Sequence, residues 1–250
     1  MRPLLLSLVI GLALGACAEA GKSAIQGHTD GGDNTHPDAS GQHIDAFVDH
    51  IDAPPGMMTK TLTETNSNTL EAASSIACGN ANQTQQNSYY RVFDPATFGI
   101  TTDFHITQVT FQVEDCESAA GNGEVVTVQV GTYNGTPSGT TISTNNLAML
   151  AQATNVQVPE VDETAAGTTG ATVNAPITAT ITAGQKLYAE VDTIAGSTGS
   201  FFYIGSNTGT ETSPGYFSAA GCTPPGTTPT SMASVKAGAA SILLTVTGTY

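Results

Sequence analysis

The sequence predicts an all-β fold for most of the chain: an antiparallel two-layer β-sandwich of about eight to ten strands, with a jelly roll as one form of it. Three observations lead to this prediction. From about Lys60 onward, apolar and polar residues alternate with a period of two over short segments. Turn-forming Gly, Asn, Asp and Pro separate these segments. No long helical pattern interrupts them.

The clearest strands lie in the middle of the chain. Odd-numbered residues are apolar in segment 109–113, whereas even-numbered residues are apolar in segment 104–106. This change of phase predicts a β-bulge near residues 107–108. Segment 126–130 is the next strand, and the Asn, Gly and Pro content of residues 131–139 predicts a loop.

Alternation continues in the second half of the domain. Residues 177–181 and 187–191 alternate on either side of Ala183-Gly184, which predicts a tight β-hairpin. Residues 201–204 are apolar on both faces and predict a strand that is central or covered on both sides. The last strand is predicted at residues 242–246. Weaker alternation marks four further strands, at 61–65, 89–93, 147–158 (despite helix-favouring residues at its start) and 216–219.

The first residues read as an export signal. Arg2 precedes an apolar run from Leu4 to Leu14, which is shorter than the roughly 20 residues of a membrane-spanning helix. The small residues before Cys17 complete a motif, Leu-Gly-Ala-Cys, that resembles the lipobox of bacterial lipoproteins. In that family the signal is cleaved before the cysteine, and the cysteine carries the lipid. The resemblance implies a signal peptide at residues 1–16 and lipidation of Cys17; an ordinary secretory signal with an unrelated cysteine is the alternative.

Lipidation would make the bilayer a partner of the mature chain. Acyl chains such as palmitate contribute about 0.8 kcal/mol per buried CH₂, and more than one chain gives stable anchoring. Ala18 follows the cysteine where an inner-membrane retention signal often has Asp. The resemblance therefore implies a location in the cell envelope, at the outer membrane.

Residues 17–57 are polar, acidic and rich in Gly, Asp and Pro, which predicts a disordered tether. A His-x-Asp-Ala motif recurs every seven residues within it, at His36, His43 and His50, with a looser copy at His28. Imidazole and carboxylate groups are ligands for Zn²⁺ and related metals, so metal capture is an alternative role. Ordering a flexible segment around a metal costs backbone entropy, so the binding expected is weak.

The charge balance excludes one class of partner. The chain has 6 Lys and Arg against 21 Asp and Glu, a formal net charge of −15 at pH 7. A surface with this charge repels phosphate backbones, so nucleic-acid binding is excluded.

Three cysteines lie in the predicted sandwich, residues 58–250, and export places them in an oxidising compartment. Cys78 and Cys222 both lie next to a glycine in loops, and we expect them to pair. A disulfide that closes so long a loop is worth about 4–5 kcal/mol in the chain-entropy model. Cys116 would then be free or would pair between molecules; full reduction of all three is the alternative.

No catalytic motif is present. The sequence lacks a Gly-x-Ser-x-Gly elbow, a phosphate-binding loop and a His-Glu-x-x-His motif, and the only His of the domain, His105, lies in a predicted strand. We therefore expect no enzyme and no obligatory cofactor. An accessory domain of a hydrolase or a divergent extracellular hydrolase is the alternative.

Binding residues are predicted in two places. The first is Glu114, Asp115 and Glu117, with Asn122 and Glu124, and the second is Glu160, Asp162 and Glu163. Both offer oxygen ligands for Ca²⁺, although a solvated acidic loop is the simpler interpretation. Five aromatic residues are candidates for stacking on sugar rings, although strand alternation is expected to bury about half of them. They are Tyr89, Tyr90, Tyr203, Tyr216 and Phe217.

Five segments resemble a secreted bacterial β-sandwich module that occurs in surface proteins and beside exported peptidases: 88–94, 98–100, 183–191, 201–207 and 214–216. The resemblance covers most of the chain after residue 60 and implies a β-sandwich without a transferable activity. The prediction for the whole chain is a non-enzymatic cell-surface lipoprotein whose sandwich binds an extracellular glycan or protein.

Overall fold

The computed structural model describes residues 56–137, 139–162, 170–236 and 240–250, and this part of the chain is built almost entirely of β-strands. Helical structure in it is limited to one turn of α-helix, α1 (Met232–Val235), and two 3₁₀ turns, Pro95–Phe98 and Thr144–Asn146. None of these described helices is long or apolar enough to cross a bilayer. The strands in chain order are β1 (Thr59–Leu62), β2 (Gly79–Asn80), β3 (Gln83–Thr84), β4 (Ser88–Phe93), β5 (Phe104–Glu117), β6 (Glu124–Tyr133), β7 (Leu147–Val158), β8 (Ala171–Ile181), β9 (Lys186–Thr193), β10 (Phe201–Ile204), β11 (Ser206–Asn207), β12 (Gly215–Ala219), β13 (Gly226–Ser231), β14 (Ser241–Ile242) and β15 (Leu244–Thr249).

The first main sheet is built around β5. β15 pairs antiparallel with one side of β5, and β1 pairs with β15. β8 pairs with the other side, and β10 pairs with the end of β5 from Val113 to Glu117. The register shifts between Ile106 and Gln108, so the predicted bulge is confirmed. The bulge lets apolar residues of opposite sequence phase, such as Ile106 and Val109, both reach the core.

The second main sheet has six antiparallel strands in the order β13-β12-β4-β9-β6-β7. The predicted strand at residues 126–130 is part of β6, and its three valines are buried. β6 continues to Tyr133, however, so the loop predicted from Gly131 begins at Asn134. The predicted strand at 147–158 coincides with β7.

One buried apolar cluster draws on both sheets. It contains Phe111 and Val246 from the first sheet and Val128 and Val191 from the second. Full burial of such a side chain stabilises the fold by about 1.5–3 kcal/mol. The prediction of an all-β, two-layer antiparallel sandwich is therefore confirmed.

A second, smaller apolar cluster lies on the outer face of the six-stranded sheet. Ile142, between β6 and β7, packs in this cluster, and its N–H donates to the carbonyl of Pro229 at 3.0 Å. Tyr188 belongs to the same cluster, and its ring lies so close to Gly131 that a Cβ there would be 2.7 Å from the ring. The members of this outer cluster are Tyr90, Val92, Tyr133, Ile142, Tyr188 and Tyr216.

The predicted hairpin was wrong. Residues 177–181 and 187–191 do form strands, but β8 pairs with β5 in the first sheet and β9 lies between β4 and β6 in the second. The turn between them, closed by a 3.0 Å hydrogen bond from the Gln185 N–H to the Thr182 carbonyl, joins the two layers. Alternation reports which face of a strand is buried, and both strands bury a face in the same core without being neighbours.

Other differences are smaller. The two main sheets hold five and six strands, more than predicted, partly because β13 has the sequence Gly-Thr-Thr-Pro-Thr-Ser and no apolar alternation. β10 buries Phe202 and Ile204 completely, but Phe201 and Tyr203 are only half-buried, so the strand is not covered on both sides. The last predicted strand is interrupted at Leu243, between β14 and β15.

Candidate functional site

A cleft of 490 Å³ lies at one end of the six-stranded sheet. Five segments line it: the stretch after β1, the end of β4 with its 3₁₀ turn, the segment after β6, the start of β9 and the loop before β12. A cavity of this size with a few polar groups and an apolar wall is the usual form of a small-ligand site. We call it the end cleft; its polar side chains are Thr63, Glu64, Asp94, Thr97, Lys186, Thr212 and Ser213.

Glu64 is held in the wall of the end cleft by backbone pairing. Thr65 bridges to Glu211, and the N–H of Thr212 donates to the Glu64 carbonyl at 2.8 Å. The Thr212 hydroxyl donates to the Glu64 carboxylate, whose residue is only 5% exposed. Burial raises the pKa of Glu64, while the Thr212 hydrogen bond and the charge of Arg91 oppose that rise.

Arg91 supports the same wall from inside the sandwich. It lies on β4 and is 0% exposed. Its guanidinium donates to the carbonyl of Ile242 at 2.7 and 3.1 Å and to that of Ser213 at 2.6 Å, and it forms an ion pair with Glu211 at 3.1 Å. Burial lowers the pKa of Arg91, and the charges of Glu211 and Glu64 raise it. Arg91 therefore positions the loop before β12 instead of facing a ligand.

The turn after β4 presents an acid and an aromatic ring to the end cleft. Asp94 accepts a hydrogen bond from the N–H of Ala96 at 3.1 Å, and Pro95 begins the 3₁₀ turn with its fixed φ. The ring of Phe98 packs with its centroid 6.4 Å from that of Phe93. The cap and this ring contact order the turn before any ligand binds.

The start of β9 contributes a cation. Lys186 begins β9, and it lies beside Asp94 because the β4–β9 register pairs Phe93 with Leu187. Carboxylates accept hydrogen bonds from hydroxyl or amino groups, and an ammonium group donates them. The ring of Phe98 offers an apolar face beside these groups. The end cleft can therefore hold a polar ligand that has many hydroxyl groups and an apolar face.

His105 lies away from this cleft. It is on β5, half-buried, with its Nδ1 3.0 Å from the Thr180 hydroxyl on the neighbouring strand. This placement agrees with the interpretation of His105 as a surface strand residue. Among the described residues that line the end cleft, none is a His or Cys.

Comparison of the chain with family models, curated proteins and solved structures found no match. The two resemblances stay predictions from sequence motifs. What the chain does is therefore inferred from the chemistry of the end cleft.

The tyrosines predicted to stack on sugars lie elsewhere. Tyr89 and Tyr216 are 0% exposed and Tyr90 is 6% exposed. The hydroxyl of Tyr89 donates to the carbonyl of Ile76 at 3.0 Å, and the other two belong to the outer cluster. The stacking prediction is wrong for these three, because both faces of β4 and β12 are covered. Tyr203 is half-buried on β10, and its ligand role stays a prediction.

Two of the predicted calcium ligands, Glu117 and Asp162, interact with each other, but the described ligands form no metal site. Asp115 and Glu117 lie near the end of β5, and Glu160 accepts a 2.6 Å hydrogen bond from the N–H of Gly123. Glu160 therefore closes the turn between β5 and β6. Within the described residues, no three His, Cys, Asp or Glu side chains are grouped to hold a metal ion. Glu163 lies outside the described residues.

The predicted disulfide is present. Cys78 and Cys222 are bonded across a sequence separation of 144 residues, with their Cα atoms 5.9 Å apart. Cys116 is free and buried, and burial raises the pKa of its thiol to about 12. The thiol is therefore protonated and inert in the folded protein.

The remaining predicted site residues lie outside the part of the chain that the structure describes. They are the lipidation site and the candidate metal ligands of the tether: Cys17, His28, His36, His43 and His50. These roles stay predictions.

The sequence marks the end cleft with only one signal. Glu64, Asp94 and Lys186 belong to no motif, and Asp94-Pro95 reads as an ordinary turn. Arg91, however, stands inside the apolar run Tyr89–Phe93. An ionic residue in a buried strand implies a buried partner of opposite charge nearby.

Proposed function

We propose that this chain is a non-enzymatic lipoprotein of the cell envelope whose β-sandwich binds an extracellular glycan in the end cleft. One observation carries the proposal: Glu64, Asp94 and Lys186 converge beside the ring of Phe98 in a single 490 Å³ cleft. The carboxylates accept hydrogen bonds from sugar hydroxyls, and the ammonium group donates to sugar oxygens. The phenyl ring contacts the apolar face of a pyranose.

One observation favours a hydrolase as the second candidate. Burial raises the pKa of Glu64, and Asp94 lines the same cleft. Glycoside hydrolysis uses two carboxyl groups, one of them protonated. Against this role, the Glu64 carboxylate is engaged by Thr212 and its charge is offset by Arg91. We therefore place glycan binding first.

A glycan array probed with the mature chain, followed by calorimetry on the hits, tests the proposal. Asp94→Asn keeps the acceptor for the 3₁₀ turn but removes the charge from the cleft, and we expect it to weaken binding about tenfold. Asp103→Asn is the matched control, because Asp103 also accepts a backbone N–H, that of Ala183 at 3.0 Å, but does not line the cleft.

Three results would contradict the proposal or change it. The absence of binding to any glycan on the array contradicts glycan binding. Equal loss of affinity in both variants contradicts the assignment of the site. Chromatographic detection of shortened glycan after incubation favours the hydrolase, provided that Glu64→Gln abolishes the cleavage.

The anchor is tested separately. We expect the mature chain to incorporate labelled palmitate in a bacterial host and Cys17→Ser to abolish the incorporation while the β-sandwich still folds. Incorporation that survives the substitution would contradict lipidation at Cys17. Calorimetry with Zn²⁺ on a peptide of residues 17–56 tests whether the His repeats bind metal. The absence of a binding heat at micromolar Zn²⁺ would exclude that role.

A further inference from the structure

A second cavity of 370 Å³ adjoins the end cleft. The two cavities share the side chain of Lys186 as a common wall. The second cavity is formed by the end of β6, the segment that follows it and the turn between β8 and β9: Tyr133, Asn134, Gly135, Thr136, Gly184, Gln185 and Lys186. We call it the side pocket.

We infer that the end cleft and the side pocket form one groove for a linear oligosaccharide, with Lys186 between two subsites. This inference rests on the proposed function and adds the form of the ligand: an extended saccharide chain instead of a single sugar. The observation behind it is the adjacency of the two cavities across one side chain.

Sheet topology explains why the two cavities adjoin. β4 ends, β9 begins and β6 ends at the same edge of the sheet, because each pair of neighbours is antiparallel. The register pairs Phe93 with Leu187 and Tyr133 with Lys186. Neighbouring strands are about 4.8 Å apart, so the groove crosses about 10 Å from β4 to β6. This span requires a ligand longer than one pyranose ring.

The side pocket has the chemistry of a subsite for neutral hydroxyl groups. Asn134, Thr136 and Gln185 are exposed, and their amides and hydroxyl both donate and accept hydrogen bonds. Only Lys186 among the described lining residues is charged. The end cleft, by contrast, supplies the carboxylates and the aromatic ring, so the two subsites recognise successive units differently.

The same geometry disfavours an extended peptide as the ligand. Peptides commonly bind to β-proteins by adding a strand along an exposed sheet edge, where a row of free N–H and C=O groups is available. The groove instead crosses the ends of three strands, β4, β9 and β6, all of which are paired on both sides. Side-chain groups therefore dominate the recognition, as a saccharide requires.

The side pocket is preformed. The N–H of Asn134 donates to the carbonyl of Asn146 at 2.8 Å. Gly135 lies so close to its neighbours that a Cβ there would be 2.7 Å from the Asn146 amide nitrogen. These contacts hold the start of the segment in place, so little conformational entropy is lost when a ligand enters.

Calorimetry with the mature chain and chito-, cello- and xylo-oligosaccharides, each from monosaccharide to hexasaccharide, tests the inference. We expect affinity to rise about tenfold once the ligand is long enough to enter the side pocket, because one or two net hydrogen bonds then form. The double variant Asn134→Ala/Gln185→Ala should abolish this gain and leave the affinity for short ligands unchanged. Gln152→Ala, an exposed glutamine on β7, is the matched control and should keep the gain.

The outcomes separate the two proposals. Binding with equal affinity at every length, or a length-dependent gain that the double variant retains, overturns the groove while leaving saccharide binding in the end cleft. No binding at any length overturns the proposed function itself. Displacement of a bound oligosaccharide by an unrelated neutral peptide overturns the saccharide specificity.

Discussion

Glu190 contributes a pH dependence to the stability of the sandwich, and substitution by glutamine should remove that contribution. It lies on the outer face of β9, in register with Tyr90 on one neighbouring strand and Gln129 on the other, and is 9% exposed. Burial raises the pKa of Glu190 to about 7, although hydrogen bonds from Tyr90 and Ser88 oppose the rise. The ordinary value of 4.5 applies in the unfolded chain.

The sign of the effect follows from proton binding in the two states. Between pH 4.5 and 7 the folded protein holds a proton on Glu190 that the unfolded chain has released. The contribution of Glu190 to the free energy of unfolding therefore falls as pH rises through this window and is constant below it. The difference between the two pKa values amounts to about 3 kcal/mol above pH 7. Glutamine has nearly the same shape as glutamate and carries no charge. The free energy of unfolding of Glu190→Gln should therefore equal that of the wild type at pH 4 and exceed it by about 3 kcal/mol at pH 8.

Urea unfolding at several pH values between 4 and 8.5, followed by far-UV circular dichroism, measures the difference. Tyr90→Phe provides a second test: it removes a hydrogen bond that lowers the pKa of Glu190, so the pH midpoint of the stability change should move upward. An equal difference between Glu190→Gln and wild type at pH 4 and pH 8 would refute the reasoning, because the effect would then come from packing and not from a buried charge.

Four further predictions concern stability and reactivity. Arg91→Met leaves two carboxylates without their buried cation and should lower the free energy of unfolding by about 3–5 kcal/mol in urea titrations; a loss below about 1 kcal/mol would contradict the buried ion pair. Replacing Cys78 and Cys222 by serine removes a cross-link that spans 144 residues and should lower the free energy of unfolding by about 5 kcal/mol, measured in the same way against the oxidised, disulfide-bonded wild type. Cys116 should resist a thiol reagent in the native protein and react in urea, as peptide mapping by mass spectrometry will show. Gly131→Ala should lower the melting temperature because its Cβ would overlap the carbonyl oxygen of Ala148 and lie 2.7 Å from the ring of Tyr188.

The fold class could be predicted because the core requires only local information. The alternation of apolar residues within a strand shows whether its odd or even residues are buried. The change of phase between Ile106 and Val109 therefore located a bulge correctly. β13 was not predicted for the same reason: its sequence has no apolar alternation, and it is a strand only because it pairs with β12. Cys78 and Cys222 could be paired by their similar loop settings, without knowledge of the strand order.

Strand order is the information that the sequence lacks, and the end cleft depends on it. Thr65 and Glu211 are distant in sequence and meet only through a long-range bridge, which brings Glu64 to Thr212. Lys186 lies beside Asp94 only because β9 pairs with β4. In the hairpin that alternation predicted, β9 would instead pair with β8, and Lys186 would lie at the end of the other sheet, away from both carboxylates. The error in the topology and the failure to predict the site therefore have one cause, since a binding cleft at strand ends is defined by which strands are neighbours.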